Sequence, residues 1–153
     1  MLDTLSGKHY FSFLEGYSGY NQILIAPAYH DKTTLTCPWG TYAHRVFPFG
    51  LCNAPATFQH VVLGIFFDLI HDCVEMYMDD FIAYGNTFQE ALDNLDKVQI
   101  RCQETNLSLS HEKCKMLLTE GIVLGNHVSS QGINVDPAKI EVIVGIPSPK
   151  NQN

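Results

Sequence analysis

Two adjacent carboxylates, Asp79 and Asp80, lie between two short runs of strand-forming residues. The runs cover residues 73–78 and 81–84 and are rich in Val, Met, Tyr, Phe and Ile, so each predicts a strand of a half-buried sheet. A tight turn between them can let neighbouring carboxylates converge on one cation. An ordinary surface turn is the alternative, because Asp is a common turn residue. The apolar flanks favour a metal site, since paired carboxylates beside buried strands repel each other unless a cation neutralises them.

The length and composition indicate a single domain over residues 1–153, because 46% hydrophobic content can bury a substantial core. No apolar run approaches the roughly 20 residues that cross a bilayer, and no signal peptide is recognisable, so we expect an intracellular protein without a membrane partner. The five scattered cysteines predict free thiols. The net charge of −7 has the wrong sign for a free-standing nucleic-acid binder, so any such function needs basic surface from elsewhere.

Hydrophobic periodicity divides the chain into alternating strands and helices. Before the acidic turn it predicts a strand over 8–14, an extended run over 22–25, a hairpin over 32–47, and a helix with Phe58, Val62, Ile65 and Leu69 on its buried face. After the turn it predicts a helix from Phe88 to about Asn106, short strands over 107–128 interrupted by Gly121 and Gly125, and a brief helix opened by Asp136-Pro137 and stopped by Pro147 and Pro149. This order predicts an α+β domain with a mainly antiparallel sheet and helices on one face.

A third acid, Glu15, is expected to join the pair. It ends the first predicted strand, and Asp80 begins another, so adjacent pairing of these strands would bring three carboxylates to one sheet edge. Three acids suggest two cations. A two-metal site lowers the barrier to phosphoryl transfer, because one ion activates the attacking oxygen while the other neutralises the leaving group.

Three sequence blocks in a fixed order carry a family resemblance: FSFLEGYSGYNQI at 11–23, FPFGLCNAPATFQ at 47–59 and YMDD at 77–80. Further similarity lies in LSLSHEKC from Leu107, LGNHVSSQGI from Leu124 and DPAKIEVI from Asp136. Over nearly its whole length the chain resembles the palm region of a reverse transcriptase from a gypsy-type LTR retrotransposon. The resemblance implies a polymerase palm with partial fingers and the start of the thumb. It also implies an RNA-directed DNA polymerase, a nucleotidyltransferase carried in a Pol polyprotein.

The resemblance implies a metal-binding role for each of the three acids. Asp79 matches the ligand that bridges two Mg²⁺ ions, Asp80 matches a ligand of the ion at the primer end, and Glu15 stands in place of the family's first aspartate. Mn²⁺ is a possible substitute for Mg²⁺, because it is less strict about coordination geometry.

Other positions match the family's substrate-binding residues. Tyr20 matches the aromatic residue that packs under the deoxyribose and excludes a 2′-hydroxyl, while Phe49 and Gly50 match the block that lines the incoming nucleotide. Lys113 matches a lysine proposed to protonate the departing pyrophosphate. The implied primer-binding residues are Tyr77, Met78, Leu124 and Gly125. Taken singly, Tyr20 is better explained as a core aromatic, Lys113 as a solvated charge and Phe49-Gly50 as a turn.

The chain departs from the family pattern at Glu15, whose extra methylene is expected to cause a severe loss of activity. A displacement on the order of 1 Å at a reacting centre can cost about a hundredfold in rate. The chain also looks like a fragment, without most of the fingers, thumb, connection and RNase H segments.

The expected partners are an RNA or DNA template with its primer, deoxynucleoside triphosphates and the remainder of the Pol polyprotein, in the cytoplasm or a retroelement particle. Two alternatives stay open. One is a degenerate retroelement remnant that folds without polymerase activity. The weaker one is a metal-dependent signalling domain with a similar palm, such as a nucleotide cyclase, against which the FPFGLCNAPATFQ block argues.

Overall fold

The computed structural model describes residues 2–135 and 137–146. It has nine strands in that part of the chain: β1 Tyr10–Glu15, β2 Thr34–Cys37, β3 Gly40–Ala43, β4 Val74–Tyr77, β5 Asp80–Gly85, β6 Lys115–Leu118, β7 Glu120–Val123, β8 Asn126–Ser129 and β9 Gly132–Val135. The α-helices are α1 Leu2–Leu5, α2 Ala54–Ile65, α3 Phe88–Thr105 and α4 Pro137–Gly145, and two 3-10 helices cover Gly19–Gln22 and Pro27–Thr33.

The centre of the molecule is a four-stranded antiparallel sheet with the strand order β4-β5-β1-β6. Strand β1 pairs with β5 along its whole length, from Tyr10 opposite Gly85 to Glu15 opposite Asp80. Its pairing with β6 is irregular, and Leu117 in β6 has a left-handed backbone with φ +56°. The predicted α+β architecture with an antiparallel sheet is confirmed.

One face of this sheet packs against helices α2 and α3. Side chains alternate between the faces of a strand, so Leu14 of β1 and Phe81 of β5 point to the same side. They share one buried cluster with Phe58 and Val62 of α2 and with Val98 of α3. The two long helices therefore cover a single face, as the sequence predicts.

The opposite face packs against a second sheet, which the sequence predicts only in part. Strands β7, β8 and β9 form an antiparallel three-stranded sheet. Phe11 and Tyr84 of the central sheet meet Val123 and Val128 of the second sheet in a separate buried cluster. Gly121 lies inside β7, and a Cβ added there would meet the Phe13 ring at 2.2 Å, so the glycine permits close packing of the sheets instead of interrupting a strand.

Two local predictions are wrong. Gln22 belongs to the 3-10 helix Gly19–Gln22 and not to an extended run, because its side chain binds the backbone of Tyr17 and Ser108 and fixes a compact turn. Leu69 lies beyond the end of α2, since the helix stops at Ile65.

The sequence also predicts strands from residue 107, but 107–114 form a turn segment and the first strand there begins at Lys115. The remaining predicted elements agree with the structure within a few residues. The hairpin over 32–47 is β2 and β3, and α3 is capped by Thr87, whose hydroxyl accepts from the Glu90 amide, and by Asn106 in the left-handed region. Helix α4 begins at Pro137, whereas Asp136, Pro147 and Pro149 lie outside the described residues. All five cysteines are free thiols. Within residues 2–135 and 137–146, no helix has the length and apolar character that a membrane span requires.

Candidate active site

The acidic turn is a two-residue hairpin between β4 and β5. Tyr77 pairs with Asp80, so the turn itself is Met78-Asp79. Met78 has φ +53°, a left-handed conformation that is uncommon for a residue with a side chain. Its amide donates to Gln59 Oε1 at 2.6 Å, and the Asp79 carbonyl accepts from the Gly16 amide at 3.0 Å. Helix α2 and the end of β1 therefore both fix the strained turn.

The structure brings Glu15, Asp79 and Asp80 together at one end of the central sheet. Glu15 lies directly opposite Asp80 in the β1–β5 ladder, and the hydrogen bond from Gly16 ties Asp79 to the same point. The three acids are thus close enough to interact electrostatically, although the sequence separates Glu15 widely from the other two.

The environment of the two aspartates disfavours their charged forms. Partial burial raises the pKa of Asp79, and the nearby charges of Asp80 and Glu15 raise it further. Partial burial and the charge of Glu15 likewise raise the pKa of Asp80. Asp79 Oδ1 is buried and accepts no hydrogen bond from the described residues. A buried carboxylate oxygen without a donor is costly, so this oxygen is suited to an additional positive ligand.

Glu15 differs from the aspartates because a lysine neutralises it. Lys113 Nζ lies 2.5 Å from Glu15 Oε1, and the Lys113 side chain is 63% exposed. The hydrogen bond and charge of Glu15 raise the pKa of Lys113, and Asp79 and Asp80 contribute in the same direction. The backbone around Lys113 is docked on the strand end, where Ser110 N donates to Glu15 O at 2.8 Å.

These residues fit a divalent cation at the two aspartates better than at all three acids. Carboxylate oxygens are the ligands that Mg²⁺ prefers, and both the orphaned Asp79 oxygen and the mutual repulsion favour a cation. The Glu15 carboxylate, by contrast, faces Lys113. Among the described residues, no three His, Cys, Asp or Glu side chains already form a group that could hold a metal ion.

Two of the residues predicted to contact a nucleotide, Tyr20 and Phe49, contact each other. Tyr20 packs edge-on against Phe49 at 5.4 Å between ring centroids and against Phe58 at 5.8 Å. Burial raises the pKa of the Tyr20 phenol, and the charge of Asp79 raises it further. Phe49 is 73% exposed, so its side of this aromatic pair is open to solvent. Gly50, the next residue, has φ +99°, a backbone conformation that favours glycine.

The predicted primer-binding residues fall into two separate hairpin turns. Tyr77 and Met78 belong to the acidic turn and are both exposed. Leu124 and Gly125 form the two-residue turn between β7 and β8, with φ +50° and +72°. Their turn belongs to the second sheet and not to the sheet that carries the acids.

Two contacts at the site were not predicted from the sequence. Gln59 ends the FPFGLCNAPATFQ block, but nothing in its spacing indicates a hydrogen bond to the Met78 amide. The Glu15 amide lies 3.5 Å from Cys114 Sγ, which binds the end of β1 to the segment that carries Lys113. Both contacts depend on the tertiary fold, so no local pattern signals them.

Comparison with known proteins identifies the family of this chain. The family model described as reverse transcriptase (RNA-dependent DNA polymerase) matches residues 1–144. The chain is 36% identical over 149 residues to the retrovirus-related Pol polyprotein from transposon 412 of Drosophila melanogaster, covering 97% of the chain and 12% of that polyprotein. It is 33% identical over 152 residues to the corresponding polyprotein from transposon 297 of the same organism, covering 97% of the chain and 14% of the polyprotein. The chain therefore spans only a small part of these relatives.

Solved structures agree in fold. The foamy viral protease-reverse transcriptase in complex with RNA/DNA hybrid matches with a TM-score of 0.82 at 24% identity, over 97% of this chain and 20% of that one. The dRH form of the foamy viral enzyme in complex with double-stranded DNA matches with a TM-score of 0.87 at 24% identity, over 97% of this chain and 26% of that one. At this identity the likeness shows the fold alone.

Proposed function

Because the chain belongs to the reverse transcriptase (RNA-dependent DNA polymerase) family, we propose that it is the palm of an RNA-directed DNA polymerase in a retrotransposon Pol polyprotein. The observation that carries the proposal is the meeting of Glu15, Asp79 and Asp80 at one strand end, with a buried Asp79 oxygen that has no donor among the described residues. The proposed domain covers residues 1–153.

The proposed metal ligands are Asp79, Asp80 and Glu15, for two Mg²⁺ ions or for Mn²⁺ in their place. When bound, such ions supply positive charge to the attacking and leaving oxygens in phosphoryl transfer. Asp79 and Asp80 are suited to this role because a nearby positive charge offsets their repulsion. Glu15 takes part only when its carboxylate leaves Lys113.

The aromatic surface beside the acids is proposed to hold the deoxynucleotide. Phe58 and Phe49 pack against the Tyr20 ring on two sides and restrict its movement. A sugar packed against Tyr20 would therefore contact a ring held in one position. Phe49 and Gly50 are proposed to line the same pocket. Lys113 is the proposed proton donor for the departing pyrophosphate, and its raised pKa keeps it protonated. Primer contacts are proposed for Tyr77, Met78, Leu124 and Gly125.

The proposed partners are a template with its primer and the remainder of a Pol polyprotein. Complexes of the foamy viral enzymes with RNA/DNA hybrid and with double-stranded DNA support the choice of nucleic acid. This chain carries a net charge of −7 and therefore repels phosphate backbones. We propose that other segments of the polyprotein supply the basic surface.

A degenerate palm without polymerase activity is the second candidate, and the Glu15–Lys113 ion pair favours it. In the family pattern an aspartate stands at this position, whereas here a longer acid is bound to a lysine. The two candidates predict different behaviour when the side chain at position 15 is shortened.

Primer extension on an RNA template, first with Mg²⁺ and then with Mn²⁺, separates the candidates. We expect Glu15→Asp to extend the primer at least about tenfold faster than the parent chain, since an error on the order of 1 Å costs about a hundredfold in rate. Asp79→Asn is the inactive control. If both chains are silent, the test is repeated with each fused to the fingers and thumb of a Pol relative. Continued silence of the Glu15→Asp fusion would contradict the polymerase proposal, and equal activity of parent and variant would contradict the role given to Glu15.

A further inference from the structure

The ion pair between Glu15 and Lys113 lies where the family's first metal ligand would stand. We propose that Lys113 competes with a divalent cation for the Glu15 carboxylate, so that this ion pair sets the metal affinity of the chain. The inference rests on the proposed function, since it concerns the same acids. It adds a role for Lys113 that is distinct from proton donation.

The backbone holds the pair in place. Lys113 N donates to Ser110 O at 3.2 Å and Cys114 N donates to the same carbonyl at 3.1 Å, which closes a compact turn. The Ser110 amide in turn donates to Glu15 O, and the Glu15 amide contacts Cys114 Sγ. Lys113 is therefore presented to the end of β1 by a fixed segment, and only the two side chains lose freedom when the pair forms.

The length of the acid matters for the contact. Glu15 Oε1 reaches Lys113 Nζ at 2.5 Å, whereas an aspartate at the same position is one methylene shorter and would hold its carboxylate nearer to the strand end. Glu15 is only 31% exposed, so water screens the pair less than it screens a pair on the open surface. The glutamate thus combines a longer reach with a partly desolvated carboxylate.

The charge of Lys113 acts on the whole acidic cluster. It favours the charged forms of Asp79 and Asp80, against the effects of burial and of the neighbouring acids. The Lys113 ammonium would repel a divalent cation at the aspartates. Glu15 would not be available to that cation, because its carboxylate is paired with Lys113. Both effects weaken cation binding while leaving the Asp79 oxygen without a donor among the described residues.

Replacement of the lysine should therefore tighten metal binding. We expect Lys113→Gln to lower the dissociation constant for Mn²⁺ by roughly threefold to tenfold, because it removes a repulsive charge and frees a carboxylate. Glu15→Asp should shift affinity in the same direction, since the shorter side chain withdraws from Lys113. The matched control is Lys115→Gln. Lys115 is also exposed and carries the same charge, yet within the described part of the chain it makes no ion pair with the three acids.

The experiment titrates the full 153-residue chain with Mn²⁺ and follows free Mn²⁺ by electron paramagnetic resonance. The expected result is tighter binding in Lys113→Gln and Glu15→Asp, little change in Lys115→Gln, and loss of the site in Asp79→Asn. Equal affinity in Lys113→Gln and Lys115→Gln, with Asp79→Asn still abolishing the site, would overturn this inference and leave the proposed function intact. Unchanged Mn²⁺ binding in Asp79→Asn would show that Asp79 does not hold the metal, and would overturn both this inference and the proposed function.

Discussion

The carboxylates of this chain lie in two opposite electrostatic environments, one that raises their pKa values and one that lowers them. At the acidic turn, burial and like charges raise the pKa values of Asp79 and Asp80, so the folded state bears an electrostatic cost at neutral pH. Near the end of α2, Asp68 forms a bidentate pair with Arg101 at 2.7 and 2.8 Å, and this lowers the pKa of Asp68 to about 2. The first arrangement is unfavourable without a ligand, whereas the second stabilises the fold.

Asp68→Asn is expected to lower the melting temperature at neutral pH. Arg101 also donates to the Ile65 carbonyl, so the pair supports the end of α2 as well as its own charges. Because the folded-state pKa of Asp68 is depressed, its contribution is present above the ordinary Asp value and is lost as pH falls through about 2. Thermal melts from pH 7 down to pH 2 should show the two chains converging.

The control for that comparison is Asp96→Asn on the exposed face of α3, which removes the same charge outside the described ion pairs. Equal melting temperatures for the two variants at pH 7 would show that the Asp68–Arg101 pair contributes nothing measurable, as is true of many surface pairs.

At the scale of elements, periodicity predicts both long helices, because each has one buried face that imposes a regular pattern. The central strands follow from their runs of β-branched and aromatic residues instead, since β5 is buried on both faces. Both signals fail where a tertiary contact decides the backbone. The turn at Gln22 depends on hydrogen bonds to Ser108, which is distant in the sequence. Strand β9 is only four residues long, which is too short a pattern to predict a strand. Gly121 resembles a strand interruption in the sequence, which does not show that the Phe13 ring packs against it.

Gly121→Ala is expected to destabilise the fold, because the added Cβ would meet the Phe13 ring at 2.2 Å. Overpacking between two sheets typically costs about 1–3 kcal/mol. Gly64→Ala is the matched control, since its added Cβ meets nothing within 4 Å and α2 gains a better helix former by about 1 kcal/mol. Chemical denaturation measures both. A stability for Gly121→Ala equal to that of the parent would contradict the close packing of the two sheets.

Across the whole molecule, the proposed site is assembled from three separate parts: the end of β1, the β4–β5 turn and the segment before β6. The three acids could be proposed from the sequence, because strand pairing places strand ends together and the order of motifs resembles a known family. The ion pair between Glu15 and Lys113 could not be proposed from the sequence, since it depends on a compact turn that brings Lys113 to the strand end. Family membership alone does not decide the activity of this chain, because Glu15 is paired with Lys113.

Anomalous diffraction from crystals of this chain soaked in Mn²⁺ would locate the metal site. We expect a peak coordinated by the carboxylates of Asp79 and Asp80, and no such peak in crystals of Asp79→Asn. Mn²⁺ bound only at other surface carboxylates, with none at the Met78-Asp79 turn, would contradict this expectation.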